Sequence, residues 1–201
     1  MPPLYFQRLF RKCGTNLSRT RENVVKVIFM VGILDMPYKD PMWQHLEQEF
    51  KKVFPIDEAV VEHLFYLPWE FEKIRVYAKH VRFSHDTGDD VLIVGHSMGG
   101  VLACGIAPQF SKSRVRGVVT IFSPHTYMGG RFSLEFGAVN IAAPIVSFAA
   151  TWDAWVPYGA RHEKSREHVE LKTDHVFGLV QNPQWSRIIA RIAHKHCSGP
   201  G

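Results

Sequence analysis

Short runs rich in Val, Ile and Phe recur along this chain with helix-like stretches between them, and that alternation constrains the fold more than any other feature. Apolar runs of this length, separated by segments with helical period, are what parallel strands joined by crossover helices require. The runs predict six strands, at about 24–31, 60–66, 91–95, 115–122, 144–150 and 168–172. Helices are predicted at about 41–53, opening at Asp40-Pro41, at 69–83, at 98–110, and at 183–196 with Pro183 in its first turn. The stretch 123–143 has no clean period. The expected architecture is a three-layer α/β/α sandwich with a mostly parallel, six-stranded sheet. Right-handed crossovers would then gather functional residues at the carboxyl ends of the strands.

With 201 residues, one domain with a sizeable core is the expectation, and 46% hydrophobic against 21% charged residues is ordinary for a globular chain. The formal net charge of +5 is local. Residues 1–26 carry Arg8, Arg11, Lys12, Arg19, Arg21 and Lys26 against Glu22 alone, leaving 18 basic and 18 acidic residues elsewhere. A balanced body argues against nucleic-acid binding, which needs clustered cations on the folded domain. The division expected is a basic leader over 1–22 and a folded domain over 23–197. The leader mixes aromatics and cations in L-Y-F-Q-R-L-F-R-K, so weak contact with a membrane surface stands beside a solvated tail as a reading of it. No segment has the ~18 uninterrupted apolar residues of a transmembrane span. Cys13, Cys104 and Cys197 are odd in number and far apart, which speaks against a disulfide framework and towards a reducing, cytoplasmic compartment. H-K-H-C, His194 to Cys197, has metal-ligand residue types, but its place before S-G-P-G predicts a frayed surface terminus.

The chemistry begins at D-V-L-I-V-G-H-S-M-G-G, Asp90 to Gly100, where an apolar strand ends in a serine fenced by glycines. Gly95-His96-Ser97-Met98-Gly99 fits G-x-S-x-G, a sharp strand-to-helix turn that holds a serine hydroxyl out above the sheet. The competing reading is a helix-capping serine. A serine nucleophile needs a base, usually a histidine oriented by a carboxylate, and in this kind of fold the chain order is serine, acid, histidine. Asp153 lies just past the fifth strand; its rival Asp174 adjoins the best histidine and so points elsewhere. Among eleven histidines, His45, His80 and His194 fall in predicted helices and His63 and His168 in strands. His96 is expected to pack under the turn, and His125 precedes Asp153. His175, in T-D-H-V-F-G after the last strand, fits the role of base.

G-H-S-M-G-G, D-x-x-V-P and D-H-V-F-G together resemble the α/β-hydrolase superfamily, and more narrowly the minimal bacterial lipases and esterases that lack a lid domain. The resemblance spans about residues 24–196. Only 56 residues separate Ser97 from Asp153 and 22 separate Asp153 from His175, which leaves no room for a cap domain. It implies catalysis by Ser97, Asp153 and His175, with an oxyanion hole from the backbone amides of Met98 and Ile33. Where the family usually has His-Gly before the second donor, this chain has Val31-Gly32. The implied activity is cleavage of small-molecule or lipid-like carboxylic esters through an acyl-enzyme, with no metal or organic cofactor required. A thioesterase or amidase using the same residues, and an interaction protein with a silent site, remain alternatives. Tyr127, Met128, Phe132 and Phe136, with Trp152 and Trp155, are expected to border an acyl groove or to serve as packing residues.

Overall fold

A computed structural model describes residues 24–33, 39–63, 66–67, 69–126, 141–156 and 160–199. Its six strands are β1 (Val25–Met30), β2 (Ile56–Glu62), β3 (Asp90–His96), β4 (Val115–Ile121), β5 (Ile145–Ala150) and β6 (Ser165–Leu171). They form one sheet in the order β2-β1-β3-β4-β5-β6, and every pairing is parallel. The helices are α1 (Asp40–Val53), α2 (Phe71–His85), α3 (Met98–Ile106), α4 (Phe177–Gln181) and α5 (Pro183–Cys197), with a 3-10 turn at Ala107–Gln109 after α3. The α/β/α sandwich expected from the sequence is the fold observed.

Central strands such as β1 are buried at every position, because helices cover both faces of a parallel sheet. One face packs Val27 and Phe29 of β1 with Trp43, Leu46 and Phe50 of α1 and Ile189 and Ala193 of α5. The other packs Ile28 and Met30 with Ile74 and Val81 of α2 and Val101 and Leu102 of α3. Adjacent residues of one strand thus feed opposite cores, as the two-residue side-chain period dictates.

Three expectations need correction. The second strand lies at Ile56–Glu62, not 60–66. It is an edge strand paired only with β1, so it is half-exposed and carries Asp57 and Glu58, while the densest apolar run continues beyond it. Tyr66 is buried past the strand and its hydroxyl donates to Val31 O at 3.1 Å. The helix from 98 ends at Ile106 and passes into the 3-10 turn, with Pro108 at the change. The carboxyl terminus is docked: α5 runs through Cys197, whose sulfur fills the space over Gly117 of β4, and His196 Nε2 lies 2.5 Å from Glu167 Oε2. The basic leader, including the boundary expected at 22, lies outside the described residues, as do Tyr127, Met128, Phe132 and Phe136. Among the described residues no helix is long and apolar enough to cross a membrane.

Candidate functional site

From β1 the chain runs outward to β2, and from β3 it runs the other way to β4, so the adjacent carboxyl ends of β1 and β3 border a topological switch point. Ser97 stands there, between β3 and α3, with φ 56° and ψ −129°. That left-handed φ is uncommon for a residue with a Cβ and stores strain where the strand turns sharply into the helix. The flanking glycines allow the turn for steric reasons. A Cβ at Gly95 would lie 2.4 Å from the backbone of Gly100, and one at Gly99 would lie 2.2 Å from Met30 O. The turn is anchored from the neighbouring strand, the Ser97 amide donating to Ile121 O at 2.8 Å.

The loop after β1 faces this serine. A Cβ at Gly32 would lie 2.7 Å from Ser97 Cβ and 3.3 Å from its Oγ, so only a glycine leaves that approach open. Val31, at the position where the resembling family carries histidine, is fully buried, and its carbonyl accepts from Tyr66. The buried Lys39 donates from Nζ to Ile33 O at 3.3 Å, a second bond to the same loop. Ile33 is partly exposed and Met98 is buried at the first position of α3.

Asp153 and His175 come together. Beyond β5 and β6 the backbone keeps pairing, Thr151 N donating to Leu171 O and Trp152 N to Thr173 O, which carries the two loops side by side. His175 Nδ1 then lies 2.6 Å from Asp153 Oδ2, in a contact where the carboxylate side chain is fully buried. The other oxygen, Oδ1, accepts from the Trp155 and Val156 amides, each at 2.8 Å. Burial pushes the Asp153 pKa up, but the His175 hydrogen bond and charge and the two amides outweigh it, and the carboxyl is held below its ordinary range. Asp174 does other work: its Oδ1 accepts from the Val176 and Gly178 amides at the start of α4. Among the described residues no hydrogen bond joins Ser97 Oγ to the His175 imidazole.

His96 packs under the turn, as expected, but it also makes a bond that the sequence did not suggest. It is fully buried, and its Nε2–H donates to His175 O at 2.9 Å, so it grips the backbone of the residue opposite Asp153. Its ring centroid is 5.0 Å from that of His175, and Phe122 closes the group at 6.0 and 6.1 Å from the two rings. Burial, then the nearby His175 and Lys39, push the His96 pKa well below its ordinary value, so the ring is neutral. Its place between Gly95 and Ser97, with a side chain alternating to the core, was the available signal.

A family model described as a PGAP1-like alpha/beta domain matches residues 59–142. No curated protein matches the chain by sequence. Among solved structures, the esterase domain of a Rhodothermus marinus protein is 15% identical, with 87% of this chain and 88% of that one covered and a TM-score of 0.54. An extracellular alpha/beta-hydrolase from a Paenibacillus species is 12% identical over 87% of this chain and 100% of its own, with a TM-score of 0.57. The pyrethroid hydrolase PytH is 14% identical over 88% of this chain and 100% of its own, with a TM-score of 0.59. The fold is that of the α/β hydrolases, and the resemblance read from the sequence motifs holds at that level.

Proposed function

We propose that the protein is a serine hydrolase that cleaves carboxylic esters through an acyl-enzyme. The supporting observation is the 2.6 Å contact of His175 Nδ1 with Asp153 Oδ2 at the rim where Ser97 stands on a strained turn. With Nδ1 committed to the carboxylate, Nε2 is the nitrogen left to accept a proton. His175 takes the Ser97 hydroxyl proton as Oγ attacks the ester carbonyl, and Asp153 stabilises the imidazolium that forms. The Met98 amide, at the amino end of α3, and the Ile33 amide receive the charge that develops on the carbonyl oxygen. His175 passes the proton to the departing alcohol, and water then releases the acid by the same route. The hydrogen bond from Ser97 Oγ to His175 Nε2 forms when substrate closes the site, as catalytic hydrogen bonds of this kind do.

The rim favours apolar esters. Trp152 and Trp155 flank Asp153 at 67% and 75% exposure, and Phe177 follows His175 at 59%. Aromatic faces held in solvent beside a reactive site suit an acyl chain or an aromatic acid.

Replacing Ser97 by alanine should lower hydrolysis of a short p-nitrophenyl ester by at least roughly 1,000-fold and abolish labelling by a fluorophosphonate probe. Wild-type turnover in that variant would overturn the assignment.

A further inference from the structure

Away from Ser97, on the α2 and α3 side of the sheet, three other side chains converge. One ligand atom each from Cys104, His125 and His162 lies within 4.8 Å of the other two. Cys104 is in α3, His125 is in the loop after β4, and His162 precedes β6, so the group joins three separate segments. The His125 and His162 rings meet edge to face with centroids 4.9 Å apart.

An independent observation concerns His125. The residue is only 8% exposed, and its Nε2 is buried with no hydrogen-bond partner. A buried imidazole nitrogen left without a partner is costly, and such groups in native folds need an explanation. Here the orphan nitrogen belongs to a residue that shares a cluster with a thiol and a second imidazole.

We propose that Cys104, His125 and His162 form a zinc site with three protein ligands and a fourth position for water. One sulfur and two imidazole nitrogens are the donor set that favours Zn2+ over the hard, oxygen-seeking cations. Tetrahedral bonds of about 2.0–2.3 Å place ligand atoms roughly 3.3–3.7 Å apart, so closure asks for side-chain rotations and not for a new backbone. His162, only partly buried, is the arm free to make that adjustment. Its Nδ1 accepts from the Lys164 amide at 3.1 Å. That exposed bond is given up directly if Nδ1 ligates, and by tautomer exchange if Nε2 does. On binding, the Cys104 S–H bond is replaced by S–Zn and its proton passes to water; the imidazoles donate lone pairs, and nothing is oxidised or reduced.

The site braces the fold and stands outside the acyl-transfer machinery. Cys104 lies seven residues along α3 from Ser97, about 10 Å at 1.5 Å per residue. The metal would tie that helix to the loops after β4 and before β6.

The test titrates metal-free protein with Co2+ as a spectroscopic stand-in and then with Zn2+ against a chromophoric chelator. The expected result is one ion per chain with a thiolate-to-cobalt charge-transfer band, lost in Cys104→Ser and kept in Cys197→Ser and Cys13→Ser. His162→Ala should weaken zinc affinity about 10-fold or more, and should remove the rise in melting temperature that zinc gives the wild type. The proposal is overturned by absence of binding, by a band that survives Cys104→Ser, or by an affinity unchanged in His162→Ala. If Cys104→Ser does not fold, the half-exposed His162 variant decides alone.

Discussion

His96 shows how a single side chain can serve a site it does not enter. Its Nε2–H holds the His175 carbonyl, and its ring lies against the His175 ring, so the imidazole opposite Asp153 is positioned from below. In His96→Phe the apolar packing is kept and the hydrogen bond is lost. Positioning errors of the order of an ångström cost about 100-fold in rate, so kcat on a short ester should fall roughly 10- to 100-fold. KM should change little, and the loss of kcat should persist well below the variant's lowered melting temperature, a split that a purely structural role would not produce. Ser97, Asp153 and His175 were legible as candidates because each follows a strand end, in the serine, acid, histidine order that goes with this fold. The packing of His96 under the turn was legible as well, but its bond was not, because the donor at its far end meets a backbone carbonyl 79 positions away.

At the scale of elements, the turn from the 3-10 segment into β4 is tied to the end of α2 by one carboxylate. Asp86 accepts from the Ser111 amide and hydroxyl and from the amides of Lys112 and Ser113, at 2.7 to 3.0 Å. Burial raises its pKa, but those four hydrogen bonds overcome that and hold it far below the ordinary carboxylate range. A folded-state pKa lowered in this way contributes stability above the unfolded value of about 3.9 and loses it as pH falls through the folded value. Asp86→Asn should therefore cost about 2–3 kcal/mol near neutral pH and flatten the acid limb of the stability profile, read by urea unfolding at a series of pH values. The strand and helix boundaries that the sequence placed well are those set by a clean apolar period or a proline, as in β3 and α5. The edge strand β2 was misplaced because it presents half its surface to water, so its hydrophobic pattern is weaker than that of the segment after it.

For the molecule as a whole, parallel strand order concentrates loops at one rim, and that rim also carries Trp152, Trp155 and Phe177 in solvent. If these rings receive the acyl group, Trp155→Ser should raise KM for long-chain esters by roughly 3- to 10-fold while leaving an acetyl ester unchanged, since the lost contact is apolar area. The rate should rise smoothly through the substrate's solubility limit, because the spacing of Ser97, Asp153 and His175 leaves no room for a cap that an oil surface would have to open.

The chain's own residue order determined the class of fold and the identity of Ser97, Asp153 and His175 as candidates, because strand period, glycine spacing and the serine, acid, histidine succession are all local or ordinal properties. Tertiary structure decided everything that depends on distance between remote segments. It set Asp153 on His175 while Asp174 turned to the amides before and within α4, bonded His96 to the His175 carbonyl, and brought His125, excluded as a base by its order in the chain, beside Cys104 and His162. Order along a chain restricts which groups can share a strand end, but only the packing of the sheet against its helices determines which side chains come within bonding reach.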